Sequence, residues 1–356
     1  MVRFSFLLLL SLVLFTGCTN DTPALPVDSL IQYSGQTMGT TYNITAVASH
    51  DVTTAPKKLK LLTDGWLIKV NESLSTYIDT SIISRINASS DTSVWHPVDV
   101  HFVTVFERAK AIHTSTAGAF NPALGPLITA WGFGADAPST LTQQEVDALL
   151  RLTDFDAFIL KDSTLKKLNP GAQVDFSAIA KGYGVDVVAA LLERHNIKSY
   201  FVEIGGEVRT KGQHPENRPW RAGIDKPSFE QSEVRELQAA ITLGNQALAT
   251  SGNYRNFYVR DGQKYVHTIN PETGYPEESD LLSVSVIGPD CMTADAYATA
   301  FMVMGKDKAH QMAEAQADIE AYFITADGKG GFEEATTAGF PEAQSLQDVS
   351  RSGTVE

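Results

Sequence analysis

An α+β fold is predicted for this chain of 356 residues on three observations. Segments of period two and segments of period 3.6 are interspersed without the regular strand–helix–strand rhythm of a parallel sheet. The length exceeds one average domain and suits a large single unit or two intimately packed lobes. Apolar residues make up 43% and charged residues 20%, globular proportions that exclude collagen-like, fully disordered and polytopic membrane classes. The formal net charge of −14 argues against nucleic acid as a partner, because phosphates would be repelled and no run of Lys or Arg supplies a local exception.

The chain opens with Met1-Val2-Arg3, an apolar run from Phe4 to Phe15, and Thr16-Gly17-Cys18. A basic start, a short apolar stretch and small residues before a cleavage point make a secretory signal. The run is shorter than the roughly 20 apolar residues of a membrane-spanning helix. Phe15-Thr16-Gly17-Cys18 resembles a bacterial lipobox, with Phe in place of the usual Leu. In that reading residues 1–17 are removed, Cys18 is lipidated, and acyl chains hold the domain to a membrane surface. The plainer alternative is a secretory signal that happens to contain a cysteine. Cys291 is the only other cysteine, so a disulfide framework and a thiolate metal cluster are both excluded.

Residues 18–35, with Pro23 and Pro26, read as a tether. Thr41 to Val47 alternates as a strand. Pro56 opens a helix with Leu59, Leu62, Trp66 and Val70 on one face. A second helix carries Phe102, Val105, Phe106, Ala109 and Ile112. Thr142 and Glu145 form the capping box of a third. Ile179, Tyr183, Val187 and Leu191 mark a fourth, ending near Asn196. Tyr200 to Ile204, Leu282 to Ile287 and Ile319 to Thr325 read as strands. Ala294 to Met304 is an apolar helix stopped by Gly305. Residues 36–330 thus form the folded domain, and 331–356 read as a polar, frayed tail.

No GxxxxGK[ST], GxSxG or HExxH occurs, which removes the main support for standard nucleotide folds and serine hydrolases. Gly132-Phe133-Gly134 imitates a dinucleotide fingerprint, but no strand leads in and Pro138 follows, so it reads as a turn. The informative segments are local. Thr37-Met38-Gly39-Thr40 reads as a turn whose amides suit a ligand. Tyr77 suits stacking on a planar ring, and reads equally as a core residue. Ala119-Phe120-Asn121-Pro122 with Gly125-Pro126 makes a stiff loop, suited to a pocket wall.

Asp175 and Ser177 are helix-capping types. Lys181 follows within the first turns, where amides and the helix dipole attract anions; it suits a phosphate better than a protein carboxylate, and reads equally as solvated. Glu203 and Glu207 flank a diglycine and read as structural. Ala249 to Arg255 reads as a polar turn. His267, beside the rigid Pro271–Pro276 loop, is a candidate general base, though a lone histidine is more often structural. Asp295 and Thr299 share a helix face. They read as oxygen ligands of the kind Mg²⁺ prefers, or, for Asp295, as the cap of its helix.

Taken in order, these segments resemble the ApbE family, the FAD:protein FMN transferases. The matching stretches are Met38-Gly39-Thr40, Ser75-Thr76-Tyr77, Phe120-Asn121-Pro122, Gly125-Pro126-Leu127, Trp131 to Gly134, Asp175 to Gly182, Glu203 to Glu207, Ala249 to Gly252, His267 to Pro276 and Ala294-Asp295-Ala296. The resemblance implies mixed, T-fold-related sheets flanked by helices, with a ligand cleft between two closely packed lobes. It implies a periplasmic lipoprotein that uses FAD and Mg²⁺; the anchor is expected at the periplasmic face of the inner membrane, with the outer membrane as the alternative because Thr19 follows Cys18 where an Asp marks inner-membrane retention. FMN would pass to a Thr or Ser of a target protein, such as a membrane subunit of a sodium-pumping or Rnf-type redox complex, with release of AMP.

Flavin contacts would come from Met38, Tyr77, Ala119, Phe120, Asn121, Asp175, Lys181 and Ile269. Mg²⁺ would be held by Asp295, Thr299 and the carbonyls of Ala178 and Ala298. His267 is the first candidate for the base and Asp295 the second. The chain departs from the family at Asn121 and Asn270, where Asp is usual. Two alternatives remain at this level: an Mg²⁺-dependent FAD pyrophosphatase, and a flavin-binding lipoprotein without catalysis.

Overall fold

The computed structural model describes residues 28–133, 141–227, 236–253, 257–260, 263–266, 268–276 and 279–344. The leader, Cys18 and His267 lie outside the described residues. Strands β1 (Leu30–Thr37) and β2 (Thr40–Val47) form a hairpin. The two residues of its turn, Met38 and Gly39, have φ of 50° and 71°, the paired left-handed conformation of a type I′ turn, which matches the twist of the strands it joins. The first strand therefore begins inside the stretch read as a tether, and the Met38 turn joins the first two strands rather than preceding the first.

A helical insertion follows. Helices α1 (Pro56–Leu74) and α2 (Ile82–Ala88) precede the short strand β3 (His96–Pro97) and α3 (Val100–Ser115). Then come α4 (Gly125–Ala130), α5 (Gln143–Leu150) and strands β4 (Phe158–Lys161) and β5 (Thr164–Lys167), which form a small sheet with β3. Pro56 starts α1 and the Thr142–Glu145 capping box starts α5, as the sequence predicts. Helix α6 (Ser177–Arg194) leads back to the main sheet.

That sheet has eight strands, every neighbouring pair antiparallel, in the order β1-β2-β6-β7-β10-β13-β14-β15. Its remaining members are β6 (Tyr200–Ile204), β7 (Glu207–Lys211), β10 (Ala247–Gly252), β13 (Leu281–Gly288), β14 (Glu320–Ala326) and β15 (Phe332–Thr336). Between them lie the hairpins β8 (Trp220–Asp225)–β9 (Leu237–Leu243) and β11 (Phe257–Arg260)–β12 (Gln263–Val266). Helices α7 (Cys291–Met304) and α8 (Lys306–Glu314) join β13 to β14.

Period-two alternation assigns the two faces. Tyr200, Val202, Val284, Val286, Ala321 and Phe323 pack toward the helices. Phe201, Leu248, Ile287, Tyr322 and Ile324 pack beneath the β8–β9 hairpin with Trp220. One apolar cluster runs from Phe102 on α3 through Ile179 on α6 and Phe301 on α7 to Phe323 on β14, so helical insertion and sheet share a core.

Two further expectations change. Of the turn read from Ala249 to Arg255, Ala249 to Gly252 instead end the central strand β10 while 254 and 255 lie outside the described residues, and residues 332–336 are not a tail but the edge strand β15, after which Gln344 bridges to Ala240. Residues 345–356 lie outside the described residues. Among the described residues no helix is long and apolar enough to cross a membrane.

Gly65 lies in mid-α1, and a Cβ added there meets nothing within 4 Å. A mid-helix glycine costs roughly 1 kcal/mol relative to alanine. Gly65→Ala is therefore expected to stabilise the fold by about 0.5–1 kcal/mol, read as a higher thermal midpoint. An unchanged or lowered midpoint would contradict the open surroundings of α1 at this position.

Candidate active site

A cleft of about 1090 Å³ opens where the Met38 turn, the Gly205–Gly206 connection and the end of β10 meet the helical insertion. Its helical wall is built by local hydrogen bonds. Asn71 near the end of α1 donates from Nδ2 to Thr37 Oγ1 at 3.1 Å, tying the helix to the Met38 hairpin. Ser81 caps α2 and also donates to the Ser75 carbonyl at 2.7 Å, which fixes the intervening loop. Tyr77 on that loop is 66% exposed, so it is no core residue. Partial desolvation on the cleft wall, and then the charge of Asp175, raise its phenol above the ordinary value.

Phe120 is held from behind: His113 donates from Nδ1 to its carbonyl at 2.7 Å. Asn121 uses both ends of its amide. Oδ1 accepts from Ala123 N at 2.9 Å and Nδ2 donates to the Thr153 carbonyl at 3.0 Å. An aspartate could make the first bond but not the second, which gives a local reason for Asn at this position.

The start of α6 is clamped from below. Asn87 pairs with both backbone groups of Val174, donating to its carbonyl at 2.8 Å and accepting from its N–H at 2.9 Å. The buried Lys167 ammonium donates to the carbonyls of Asn87 and Ala172 at 3.1 and 3.2 Å, and burial lowers its pKa. Asp175 then bonds through its N–H to the Pro122 carbonyl at 2.8 Å and accepts through Oδ1 from Ser177 N and Oγ. The N-cap position itself is Phe176, so Asp175 organises the helix start from one residue further out.

Lys181 does not stand free for an anion, as its place on the helix suggests. Its Nζ lies 2.7 Å from Glu207 Oε1 and 3.7 Å from Asp295 Oδ1. Burial disfavours the ammonium, but the two carboxylates prevail and hold its pKa above the ordinary value. Glu207 is 3% exposed; burial raises its pKa against the opposing pull of Lys181. Its second oxygen, Oε2, is buried with no hydrogen-bond partner. Such an orphan acceptor on a cleft wall suits a cation or a donor brought by a ligand.

Asp295 is not a helix cap, because Asp290 holds that position, accepting from Thr293 N at 2.8 Å. Asp295 instead accepts through Oδ2 from Gly182 N at 3.0 Å, across the junction of α6 and α7. Asp186, a carboxylate among the apolar residues of α6, strengthens that junction by accepting from Cys291 N and Met292 N at 3.0 and 2.9 Å. Burial raises its pKa despite the neighbouring Arg209. One turn beyond Asp295, Thr299 meets Ser251 of β10, Oγ1 to Oγ, at 3.2 Å.

The cleft thus gathers Met38, Tyr77, Ala119, Phe120, Asn121, Asp175, Lys181 and Ile269, and also Ala178, Asp295 and Thr299. Ala298 is fully buried in α7 beside them. The stretches near 178 and 295–299, more than a hundred residues apart in sequence, stand together. Among the described residues no cluster of three or more His, Cys, Asp and Glu side chains suits a metal. The donors on hand near Asp295 are one carboxylate, hydroxyls and the orphan Oε2, a hard oxygen set that fits Mg²⁺ in type. Glu207, Ser251 and Asp186 received no functional role from the sequence; the signal for Asp186 was a charge in an otherwise apolar stretch.

Comparison with known proteins bears on this arrangement. Residues 38–323 match the model of the ApbE family. The chain is 39% identical to a FAD:protein FMN transferase of Vibrio cholerae serotype O1, over 93% of its own length and 96% of the relative's. It is 33% identical to one of Escherichia coli K12, over 90% and 92%. Among solved structures it is similar to the flavin transferase ApbE from Vibrio cholerae, with a TM-score of 0.78 and 39% identity over 88% of this chain and 99% of that one. It is likewise similar to the apo form of the Pseudomonas stutzeri flavinyl transferase ApbE, with a TM-score of 0.79 and 32% identity over 87% and 95%. The cleft and the eight-stranded sheet that carries it therefore sit in a chain that belongs to the ApbE family.

Proposed function

We propose that the chain is an FAD:protein FMN transferase. The observation that carries the reading is a single cleft, roomy enough for a dinucleotide, that joins the exposed Tyr77 ring to the Lys181–Glu207–Asp295 cluster. The names of the relatives support it.

In this reading a Thr or Ser oxygen of the target attacks the phosphorus on the flavin side of the FAD diphosphate. The bond to the adenylate phosphate breaks, AMP leaves, and the hydroxyl proton passes to a base. Tyr77 stacks on the flavin, and Met38, Ala119, Phe120, Asn121 and Ile269 wall its pocket, with Asp175 and Lys181 flanking it. Asp295 and Thr299, with carbonyls of Ala178 and Ala298, are the proposed holders of Mg²⁺, which when bound would neutralise charge on the diphosphate. Asp295 already has Oδ2 on Gly182 and Oδ1 facing Lys181, which suits a cation holder better than a base. The proton is therefore assigned to His267, whose neighbours Thr268 and Ile269 line the cleft. The Phe15–Cys18 sequence supports a lipidated Cys18; attachment at the periplasmic face of the inner membrane belongs to the same proposal and rests on the family resemblance alone. A target among membrane redox-complex subunits, sodium-pumping or Rnf-type, belongs to the same reading.

The test is co-expression with such a subunit, followed by mass spectrometry of the subunit and assay of AMP. An FMN adduct accompanied by AMP is the expected result. AMP and free FMN without an adduct would leave the pyrophosphatase, and bound FAD without AMP would leave a flavin-binding lipoprotein.

A further inference from the structure

We infer that Asn87 and Lys167, neither of which lines the cleft, are positioning residues that set the spacing of the flavin pocket by locking helix α2 between its walls. The inference rests on the proposed reading of that pocket. In that reading three walls face the flavin: the Tyr77 loop, the Phe120–Asn121 loop and the Asp175 start of α6. They belong to segments far apart in sequence, so their spacing comes from whatever joins them from behind.

Helix α2 joins the first wall to the third. At its start Ser81 and Ser84 both donate through Oγ to the Ser75 carbonyl, at 2.7 and 3.3 Å. Arg85 donates to the Thr80 carbonyl at 2.6 Å, so the Tyr77 loop is tied to the helix at both of its ends. At the far end of α2, Asn87 engages both the N–H and the carbonyl of Val174. That is the pairing a neighbouring strand would offer, and it fixes the residue before Asp175 in position and in orientation. Asp175 in turn reaches the other two walls. Its N–H donates to the Pro122 carbonyl at 2.8 Å, and its Oδ2 accepts from Thr76 Oγ1 at 3.4 Å.

Lys167 secures the end of the helix. α2 stops at Ala88, so the Asn87 carbonyl is one of the last four and has no partner within the helix. The Lys167 ammonium donates to it and to the Ala172 carbonyl. A cation at this end also meets the negative pole of the helix dipole. The side chain is fully buried, and among the described residues no carboxylate pairs with it. Burying an ammonium without a counter-ion is costly, and Met would fill the same space without that cost. What the charge adds is the tie between Asn87 and Ala172, which brackets Val174 from both sides.

The experiment uses the whole chain with Asn87→Ala, Asn87→Asp and Lys167→Met. Leu192→Ala, at a fully buried position far along α6, serves as the reference for destabilisation alone. Asn87→Asp keeps the bond from the Val174 N–H and loses only the donation to its carbonyl, so it stays nearest to the native fold. Affinity for FAD is read by flavin fluorescence, and kinetics as AMP formed at saturating Mg²⁺. Asn87→Ala and Lys167→Met are expected to raise both the dissociation constant and the KM for FAD by about tenfold or more, and Asn87→Asp by less, with kcat within about threefold of wild type. The smaller effect on kcat follows because Glu207 and Asp295 hold Lys181 from β7 and α7. Leu192→Ala is expected to lower the thermal midpoint and leave the KM for FAD where it was, since a smaller folded fraction reduces the rate and not the affinity. Unchanged FAD affinity in Asn87→Asp and in whichever of the other two variants folds overturns the positioning role and leaves both residues as stabilisers of the fold. A fall in kcat without a rise in KM overturns it as well. If the unsubstituted chain binds no FAD, the flavin reading of the pocket fails by itself and the positioning role falls with it.

Discussion

Asp295→Asn is expected to lose Mg²⁺-dependent release of AMP by about 10²–10⁴-fold while the protein stays folded. Asn retains a carbonyl oxygen to accept the Gly182 N–H, now accepted at 3.0 Å, so the junction of α6 and α7 survives. What disappears is the charge. Glu207 and Lys181 remain as a paired, neutral couple, so the orphan Glu207 Oε2 and the hydroxyls are left to attract a divalent ion without net negative charge. Loss of metal-assisted charge stabilisation is worth several kcal/mol, and each 1.36 kcal/mol is about tenfold in rate. Asp295→Ala should abolish turnover as well, but it strands a buried N–H at a cost of about 1–3 kcal/mol, so the asparagine variant separates chemistry from folding. Turnover is read as AMP formed from FAD at saturating Mg²⁺, and folding as the thermal midpoint. Retained turnover in the asparagine variant would remove Asp295 from the proposed cation site.

Much of this site is legible in the sequence because its walls are local structures. The Met38-Gly39 turn, the Asn121-Pro122 loop and the Asp175–Ser177 helix start each need particular residues within a few positions, and those needs show in one dimension. The partner of Lys181 does not. Glu207 lies 26 residues further on and reaches Lys181 only because the β6–β7 hairpin folds beside α6. The role of Asp295 was ambiguous for a related reason. Which of Asp290 and Asp295 caps α7 depends on whether the apolar pair Cys291-Met292 opens the helix, and it does.

Three of the main-sheet strands that the sequence pattern does not mark have identifiable physical causes. β1 and β15 are the two edges of the main sheet, and edges are kept polar or charged to discourage pairing with other chains. The Glu333-Glu334 pair on β15 thus resembles a tail, and the half-exposed residues of β1 resemble a tether. β10 failed differently. It is central, yet it consists of Ala, Leu, Thr, Ser and Gly because α7 presses directly on it, and small residues that permit close packing mimic a turn.

The same close packing makes Gly182→Ala the second large effect. A Cβ at this position would fall on the Cys291 carbonyl, 2.6 Å from its carbon, and 2.9 Å from Asp295 Cβ. The obstructing atoms are helix backbone, so α6 and α7 must part. Alanine's better helix propensity returns about 1 kcal/mol, while overpacking of this kind costs about 1–3 kcal/mol or more, so a net loss of stability is expected in urea unfolding. The functional loss should be larger than the stability loss implies. Parting the helices breaks the Gly182 N–H bond to Asp295 and carries Asp295 and Thr299 away from Lys181, and a displacement of about 1 Å can cost 10²-fold in rate. Tyr77, Phe120 and Asn121 stand on other elements and keep their places. FAD binding, followed by flavin fluorescence, should therefore weaken much less than AMP release. A variant that unfolds at the wild-type urea concentration would show that the two helices do not press together at Gly182. One that loses binding and turnover in equal measure would show that the flavin pocket depends on the same junction.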